Sequence, residues 1–148
     1  MLRKAAFVFV VVLFGFAGTA LAQTSEESAV RVPLENYIKA HATGDPEYAR
    51  KAFHSEGNMI WIREGKYSSE NFDSFIKRAF TGKPAADEGK RKEGRRIEAV
   101  DIAGNAAVAR IVLDYPTVKF VDYMTLLKID GEWKIVNKSF YAESKKTQ

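Results

Sequence analysis

The sequence predicts an α+β domain in which helices pack on a curved mixed or antiparallel sheet, giving a cone-shaped molecule with a central pocket. Helical patterns fill the first half of the chain, and one early strand is predicted over residues 58–63. The turn Asp130-Gly131 is typical of a hairpin, because a type I′ turn needs positive φ at both central residues. The remaining strand-like segments span residues 95–103, 105–115, 118–129 and 132–142.

The first predicted helix is defined by one apolar face. Pro33 lies within the predicted helix, so the regular helix is expected to begin near Val32 or to kink there. Gly44 is expected to end it, because glycine readily adopts the left-handed conformation that closes a helix. The apolar face repeats at helical spacing through Val30, Leu34, Tyr37, Ile38 and His41.

Two further helices are predicted before the long polar connection at residues 81–94. Asp45 and Pro46 have the residue types of an N-cap and a first helical position, and this second helix is expected to include Phe53 and His54. Ser68 or Ser69 is expected to cap a third helix that carries Phe72, Phe75, Ile76, Ala79 and Phe80.

The N-terminus has the three parts of a secretory signal. Arg3 and Lys4 precede an apolar run over residues 5–16, and Ala20-Leu21-Ala22 has the pattern of a cleavage site. The run is shorter than the ~20 residues of a membrane span, although an uncleaved anchor is the alternative. We therefore predict a signal peptide over residues 1–22, a single mature domain over residues 23–148, and a periplasmic or secreted location without a stable membrane anchor.

Composition excludes several classes of function. Removing the two basic residues of the signal lowers the number of basic residues from 23 to 21, against 19 acidic residues. So small an excess does not favour a nucleic-acid partner. The chain has no cysteine, and its two histidines, His41 and His54, lie 13 positions apart with no acid at ligand spacing. We predict no metal site and no cofactor.

Tight turns fix the register of the last strands. A two-residue turn at Asp130-Gly131 pairs Leu126 with Ile135, and extension through the earlier turns places Ile111 beside Asp122 and Glu98 beside Ile111. A bulge at any point would shift this assignment. The predicted concave face of the last hairpin holds Phe120, Asp122, Met124, Leu126, Trp133, Ile135, Asn137, Ser139 and Tyr141, and the convex face holds Val121, Tyr123, Thr125, Leu127, Lys134, Val136, Lys138 and Phe140.

The order of elements, together with three short patterns, resembles the nuclear-transport-factor-2-like superfamily with its SnoaL-like cone fold. The patterns are Tyr37 followed by Gly44-Asp45, then Ala52-Phe53-His54, and most specifically the segment DYMTLLKIDGEWKIVNK at residues 122–138. Within the superfamily the sequence is most similar to the family called "putative lumazine-binding". The resemblance implies a pocket between helices and sheet, and the superfamily includes steroid isomerases, polyketide cyclases, dehydratases and non-catalytic modules.

Asp122 is the candidate catalytic residue. A carboxylate that faces an apolar cone can act as an acid or base, and the alternative is a structural aspartate bonded to Ser139, backbone amides or a helix end. Glu98 could complete an acid–base pair with it or lie in solvent on an edge strand. In the steroid isomerases the base lies on the strand after the second helix, where this chain has Trp61, which counts against that chemistry.

The complete predicted ligand pocket comprises Tyr37, Phe53, Trp61, Arg63, Glu98, Asp122, Met124, Asn137 and Tyr141. Trp61 could stack on a flat ring and Arg63 could bind an anion, with core packing and a surface salt bridge as the alternatives.

Two classes of function follow from this pocket. One is a binding or accessory domain for a small aromatic or apolar molecule, and the other is an isomerase, cyclase or dehydratase that uses Asp122. A homodimer is predicted through the convex sheet face, because exposed apolar groups usually mark an interface. The residues of that predicted interface are Val121, Tyr123, Leu127, Val136 and Phe140.

Overall fold

A computed structural model describes residues 17–146, with side chains described from residue 25 onward. The predicted signal peptide therefore lies outside the described residues, except for residues 17–22, which belong to the first helix. Among the described residues, no helix is long and apolar enough to cross a membrane. The helices are α1 (Ala17–Thr43), α2 (Pro46–Ala52), α3 (Phe72–Ala79) and α4 (Glu88–Arg91), and the strands are β1 (Phe53–Arg63), β2 (Lys66–Asn71), β3 (Arg95–Ala103), β4 (Ala106–Asp114), β5 (Val118–Ile129) and β6 (Glu132–Ser144).

The six strands form one curved, unclosed sheet in the order β2-β1-β6-β5-β4-β3. β1 runs parallel to β6, and every other neighbouring pair is antiparallel. The helices cover the concave face, where α1 contacts β6 and β3 and α3 contacts β1. This arrangement confirms the predicted α+β cone with a mixed sheet.

The first helix is longer than the sequence predicts. The described part of this helix starts at Ala17, well before the predicted start near Val32, and continues through Pro33. A proline inside a helix costs about 3 kcal/mol, because it removes one backbone hydrogen bond and crowds the preceding turn. Burial of the helix's apolar face offsets this cost, since Val30, Leu34, Tyr37 and Ala40 are all fully buried.

The segment after α2 is a strand where a helix was expected. Phe53 and His54 begin β1. β1 and β2 form a hairpin whose turn residues, Glu64 and Gly65, both have positive φ. The predicted helix caps Ser68 and Ser69 therefore lie in β2, and Asn71 is the residue whose side chain caps α3.

A bulge in β6 changes the predicted faces of the last hairpin. Leu126 pairs with Ile135 as predicted, but the next pair is Thr125 with Asn137, so Val136 is an extra residue. Every residue after the bulge changes faces, because side chains alternate along a strand. Lys138 and Phe140 consequently lie on the concave side, while Asn137, Ser139 and Tyr141 lie on the convex side.

A second bulge, in β3, removes Glu98 from its predicted position. Ile97 pairs with Ile111, and the next pair is Ala99 with Arg110, which leaves Glu98 unpaired between them. The predicted pairing of Ile111 with Asp122 is correct. The Glu98 carboxylate makes ion pairs with Arg96 and Arg110 and so does not share a site with Asp122.

The predicted polar connection at residues 81–94 contains α4 and a 3₁₀ turn at Lys92–Gly94. Arg95, whose side chain is only 3% exposed, holds this segment in place. Its guanidinium donates two hydrogen bonds to Glu88, at 2.6 and 2.5 Å, and others to the Tyr115 hydroxyl and the His41 carbonyl. The segment is thereby tied to the C-terminal end of α1.

Candidate functional site

A cavity of about 550 Å³ lies between the concave face of the sheet, α1 and α3. This volume is within the usual range for a small-molecule site. Its walls are mainly apolar and aromatic, and they include Met59, Trp61, Phe75, Leu113, Phe120 and Phe140. The Trp61 indole stacks on Phe140 at 5.5 Å between ring centroids, which makes one wall flat.

The mouth of the cavity is marked by its most exposed lining residues, which are Ile62, Arg63, Arg78, Tyr141 and Ala142. Arg78 is paired with Glu70, whose carboxylate accepts a hydrogen bond of 2.6 Å. Arg63 makes no ion pair with any described residue. The mouth therefore offers one unpaired guanidinium to an anionic group on a ligand.

A buried polar cluster lies at the inner wall. The Tyr37 hydroxyl donates a hydrogen bond of 2.6 Å to Asp122 Oδ2. Lys138 Nζ donates a hydrogen bond of 2.8 Å to the Tyr37 hydroxyl and lies 3.2 Å from the same carboxylate oxygen. The three residues thus form a closed triangle of charge-assisted contacts, which are stronger than neutral hydrogen bonds.

Lys138 connects this cluster to the cavity. Its side chain is 6% exposed, yet it lines the cavity, whereas the fully buried Asp122 does not. The ammonium group also lies 4.9 Å from the Phe140 ring centroid and 5.3 Å from that of Phe75. Of its three N–H groups, Tyr37 and Asp122 engage at most two. One donor of Lys138 is therefore left for a ligand.

The Tyr37 hydroxyl is held in its neutral form. Burial raises its pKa well above the usual value of 10, and the neighbouring Asp122 carboxylate raises it further. Tyr37 can therefore donate to Asp122 at any physiological pH. Asp122 Oδ1 is buried and has no hydrogen-bond partner among the described residues.

His41 is a second polar group on the cavity wall. Burial lowers its pKa well below 6.5, and the positive charges of Lys138, Arg95 and Arg91 lower it further. Its ring packs edge-on against Tyr37 at 4.7 Å between centroids. The buried Nε2 atom has no hydrogen-bond partner among the described residues. The neutral imidazole can consequently bond to a ligand or exchange a proton with it.

Four of the residues predicted for the pocket line the cavity, and these are Tyr37, Trp61, Arg63 and Tyr141. Tyr141 belongs to the mouth, although its side chain falls on the opposite face from that predicted. Trp61 and Arg63 follow Met59 along β1 on the concave side, as expected from strand alternation.

The other predicted residues lie elsewhere. Phe53 stacks on Phe72 in the core, at 4.0 Å between ring centroids, and Met124 and Asp122 are buried behind the cavity wall. Asn137 donates a hydrogen bond to Asn58 outside the cavity. Glu98 lies in the ion-pair cluster of β3 and β4. No carboxylate lines the cavity within the described part of the chain.

Lys138, His41 and Phe140 line the cavity but were not among the predicted site residues. A signal for Lys138 and Phe140 was present in the sequence. If β6 alternates without interruption after Ile135, the aromatic Phe140 falls on the convex face. One extra residue in β6 before Asn137 returns Phe140 to the core side of the sheet and places Lys138 on the same side.

No group of three or more metal-ligating side chains occurs among residues 25–146. The arrangement instead suits an organic ligand, because an apolar cavity with a few converging polar groups is the usual form of a small-molecule site.

Comparisons with known proteins identify relatives of the same size. Residues 25–141 match the family described as "Putative lumazine-binding". The chain is 26% identical over 128 residues to "Aldolase FrzH" from Cladobotryum sp, covering 80% of this chain and 93% of that protein. Similar solved structures include NTF2-like proteins of unknown function from Shewanella baltica OS155 (25% identity, TM-score 0.71, 81% of this chain and 95% of that chain) and Methylobacillus flagellatus KT (28% identity, TM-score 0.67, 80% and 93%).

Proposed function

Because the chain belongs to the "putative lumazine-binding" family, we propose that its cavity binds a small, flat, largely apolar organic molecule. The ligand carries an oxygen atom, carbonyl or anionic, that accepts a hydrogen bond from Lys138. The observation that carries the proposal is the position of Lys138, whose ammonium group lies at the inner wall of a mainly apolar and aromatic cavity.

The energetics of the cavity favour such a ligand over water alone. Stacked Trp61 and Phe140 offer a flat apolar wall, and the burial of each Å² of apolar ligand surface contributes about 25 cal/mol. A buried N–H group without an acceptor costs about 1–3 kcal/mol, and more when the group is charged. A ligand oxygen at Lys138 removes this cost, and Arg63 at the mouth favours an anionic substituent.

Titration with 2-naphthalenemethanol, a flat apolar probe with one oxygen, tests the proposal through tryptophan fluorescence. The double variant Lys138→Met with Asp122→Asn removes the donor and its counterion together, so that no unpaired charge is buried. We expect its affinity for the probe to fall by about tenfold, equivalent to 1.4 kcal/mol. Lys134→Met, on the convex side of the same strand, is the control and should bind like the wild type. Equal affinity in the double variant and the wild type would contradict the assignment of Lys138.

A second candidate function is an acid–base enzyme of the isomerase, cyclase or dehydratase kind. The buried Lys138–Tyr37–Asp122 cluster supports it, as does the similarity to a protein named as an aldolase. In this arrangement Asp122 is the acid–base group, and it exchanges protons with the cavity through Tyr37 and Lys138, the two residues that contact it.

The second candidate is tested by incubating 2-acetonaphthone with the protein in D₂O and following hydrogen exchange beside the carbonyl by NMR. Asp122→Asn should reduce the accelerated rate by about a hundredfold, the usual effect of losing a positioned acid or base. If the wild-type protein does not accelerate the exchange, the enzymatic candidate is contradicted and the binding function is the one that remains. The Lys138→Met/Asp122→Asn protein, which lacks both charges, serves as the baseline for the measurement.

We also propose that the protein is exported and that its mature N-terminus lies at or near Gln23. The support is the basic, apolar and small-residue pattern over residues 1–22. Mass spectrometry of the protein from its own cells should find the shortened chain outside the cytoplasm. An intact Met1 terminus on exported material would contradict this proposal.

A homodimer through the convex face is proposed on a revised set of residues. Phe140 no longer contributes, because it packs against Trp61 inside the cone. The exposed apolar side chains on the convex side of β4, β5 and β6 include Val108, Tyr123, Leu127 and Tyr141. Light scattering at tens of micromolar should give twice the monomer mass, and Tyr123→Lys should halve it; a monomeric wild type would contradict the proposal.

A further inference from the structure

We propose that Lys138 is a covalent capture site for carbonyl compounds, whose Nζ condenses with an aldehyde or ketone of a molecule bound in the cavity. This inference rests on the proposed binding function, since the carbonyl must first be held against the inner wall. It goes further by assigning a bond-forming role to the amine of Lys138.

The position of Lys138 suits this role. Nζ lies where the cavity meets the buried cluster, fixed by Tyr37 at 2.8 Å and by Asp122 at 3.2 Å. A carbonyl that accepts the remaining N–H therefore already lies at contact distance from the nitrogen. Holding two reacting groups in this way replaces a bimolecular encounter and accelerates their reaction greatly.

The charge arrangement suits the product as well as the free protein. Lys138 carries one positive charge that faces the Asp122 carboxylate, and an iminium ion at the same nitrogen also carries one positive charge. Condensation therefore leaves the ion pair electrically unchanged, and no new charge is buried. The 6% exposure of the Lys138 side chain also limits the access of the bulk water that would hydrolyse the product.

The reaction balances without any further reactant. The ammonium group and the carbonyl compound give an iminium ion and one molecule of water, with one positive charge on each side. The nitrogen forms a bond to the carbonyl carbon, the carbon–oxygen bond breaks, and two of the three ammonium protons leave with the oxygen as water.

Two side chains near Lys138 can move these protons. Asp122 can accept the first, because its Oδ2 is 3.2 Å from Nζ and its Oδ1 has no partner among the described residues. Proton transfer to Asp122 frees the nitrogen lone pair for attack. The proton held by Asp122 returns through the nitrogen and leaves with the departing oxygen, together with the second ammonium proton. His41 Nε2, on the wall of the same cavity, can accept one of these protons from the nitrogen and pass it to the departing hydroxyl.

The test uses 2-naphthaldehyde with sodium cyanoborohydride, which reduces an iminium ion to a stable amine. Peptide mapping by mass spectrometry then gives the labelling rate of each lysine in the folded wild-type protein. We expect Lys138 to be labelled at least about tenfold faster than the exposed lysines. The cavity holds the aldehyde next to Lys138, whereas the exposed lysines meet it only by diffusion. An excess of 2-naphthalenemethanol, which cannot condense, should protect Lys138 selectively.

Two matched variants accompany the wild type. Lys138→Arg keeps the positive charge but cannot form an imine, so the fast label should disappear. Lys134→Arg, four residues earlier in β6, should leave it unchanged. The inference is overturned if 2-naphthalenemethanol binds while Lys138 is labelled no faster than exposed lysines. Failure of 2-naphthalenemethanol to bind contradicts the proposed function itself, so the two failures are distinguishable.

Discussion

The Tyr37 hydroxyl donates a 2.6 Å hydrogen bond to Asp122, joining α1 to β5 across 85 positions of the sequence. Both side chains are fully buried, and Lys138 completes the cluster from β6. One polar group from each of three elements therefore meets inside an apolar core. The cluster fixes the position of α1 on the sheet and orients the ammonium group at the cavity.

Replacement of Tyr37 by phenylalanine tests the structural value of this contact. The ring is retained, but Asp122 loses a donor and Lys138 loses an acceptor in a buried site. We expect the free energy of unfolding to fall by about 1–3 kcal/mol, measured by chemical denaturation. Tyr67→Phe, at an exposed position of β2, should change it by less than about 0.5 kcal/mol. Equal stability of Tyr37→Phe and Tyr67→Phe would contradict this account of the cluster.

Asp122→Asn should destabilise the protein more than Tyr37→Phe does, because it leaves the Lys138 ammonium buried without a counterion. Breaking a buried pair in this way costs about 3–5 kcal/mol. Adding Lys138→Met to the same protein should recover much of the loss, because the charge that lacks a partner is then removed. Thermal and chemical unfolding of the single and double variants give the coupling free energy between Asp122 and Lys138. Additive effects of the two substitutions would show that the ion pair is not formed.

Stability should depend on pH through His41. Its pKa is lowered in the folded protein by burial and by nearby positive charges, so the unfolded state binds the proton more readily. Stability is therefore complete above about pH 6.5 and falls as the pH drops below it, by at most about 1.4 kcal/mol per pH unit. Denaturation curves between pH 5 and 7 measure this slope.

His41→Phe should flatten the slope while keeping an aromatic ring against Tyr37. A slope that survives in His41→Phe would show that another group titrates in this range.

Arg95→Lys tests how the segment before β3 is held. A lysine keeps the positive charge but cannot reproduce the paired hydrogen bonds to Glu88 or the bond to Tyr115. We expect a loss of about 1–3 kcal/mol in the free energy of unfolding and faster hydrogen exchange at residues 88–94. Arg96→Lys, on the exposed side of the same strand, should have little effect. Similar exchange in both variants would contradict the anchoring role of Arg95.

The sequence predicted the fold because its local signals agree with one another. The hairpin at Asp130-Gly131, the pairing of Ile111 with Asp122 and the buried stripe of α1 all follow from turn chemistry and periodicity. Pro33 led to the prediction that α1 begins near Val32. The helix continues through Pro33 because burial of its apolar face outweighs the local cost of a proline inside a helix.

The site was less predictable, because its composition depends on single-residue insertions. The bulge at Val136 brings Lys138 into the core and moves Asn137 out, and the bulge at Glu98 removes that carboxylate from the concave row. Bulges are set by the curvature of the whole sheet and by packing against the helices. Asp122 was identified as the important carboxylate, but its partner Lys138 could not be identified without the bulge.

The aromatic cavity beside Lys138 is the proposed ligand site. Ala142 is exposed at the mouth and lines the cavity, so Ala142→Trp should block it at little cost to stability. Ala103→Trp, at an exposed position on β3, is the matched control. Calorimetric titration with 2-naphthalenemethanol should show binding to the wild type and to Ala103→Trp, with affinity for Ala142→Trp reduced by at least about tenfold. Equal affinity in the three proteins, or binding to none of them, would contradict the proposal.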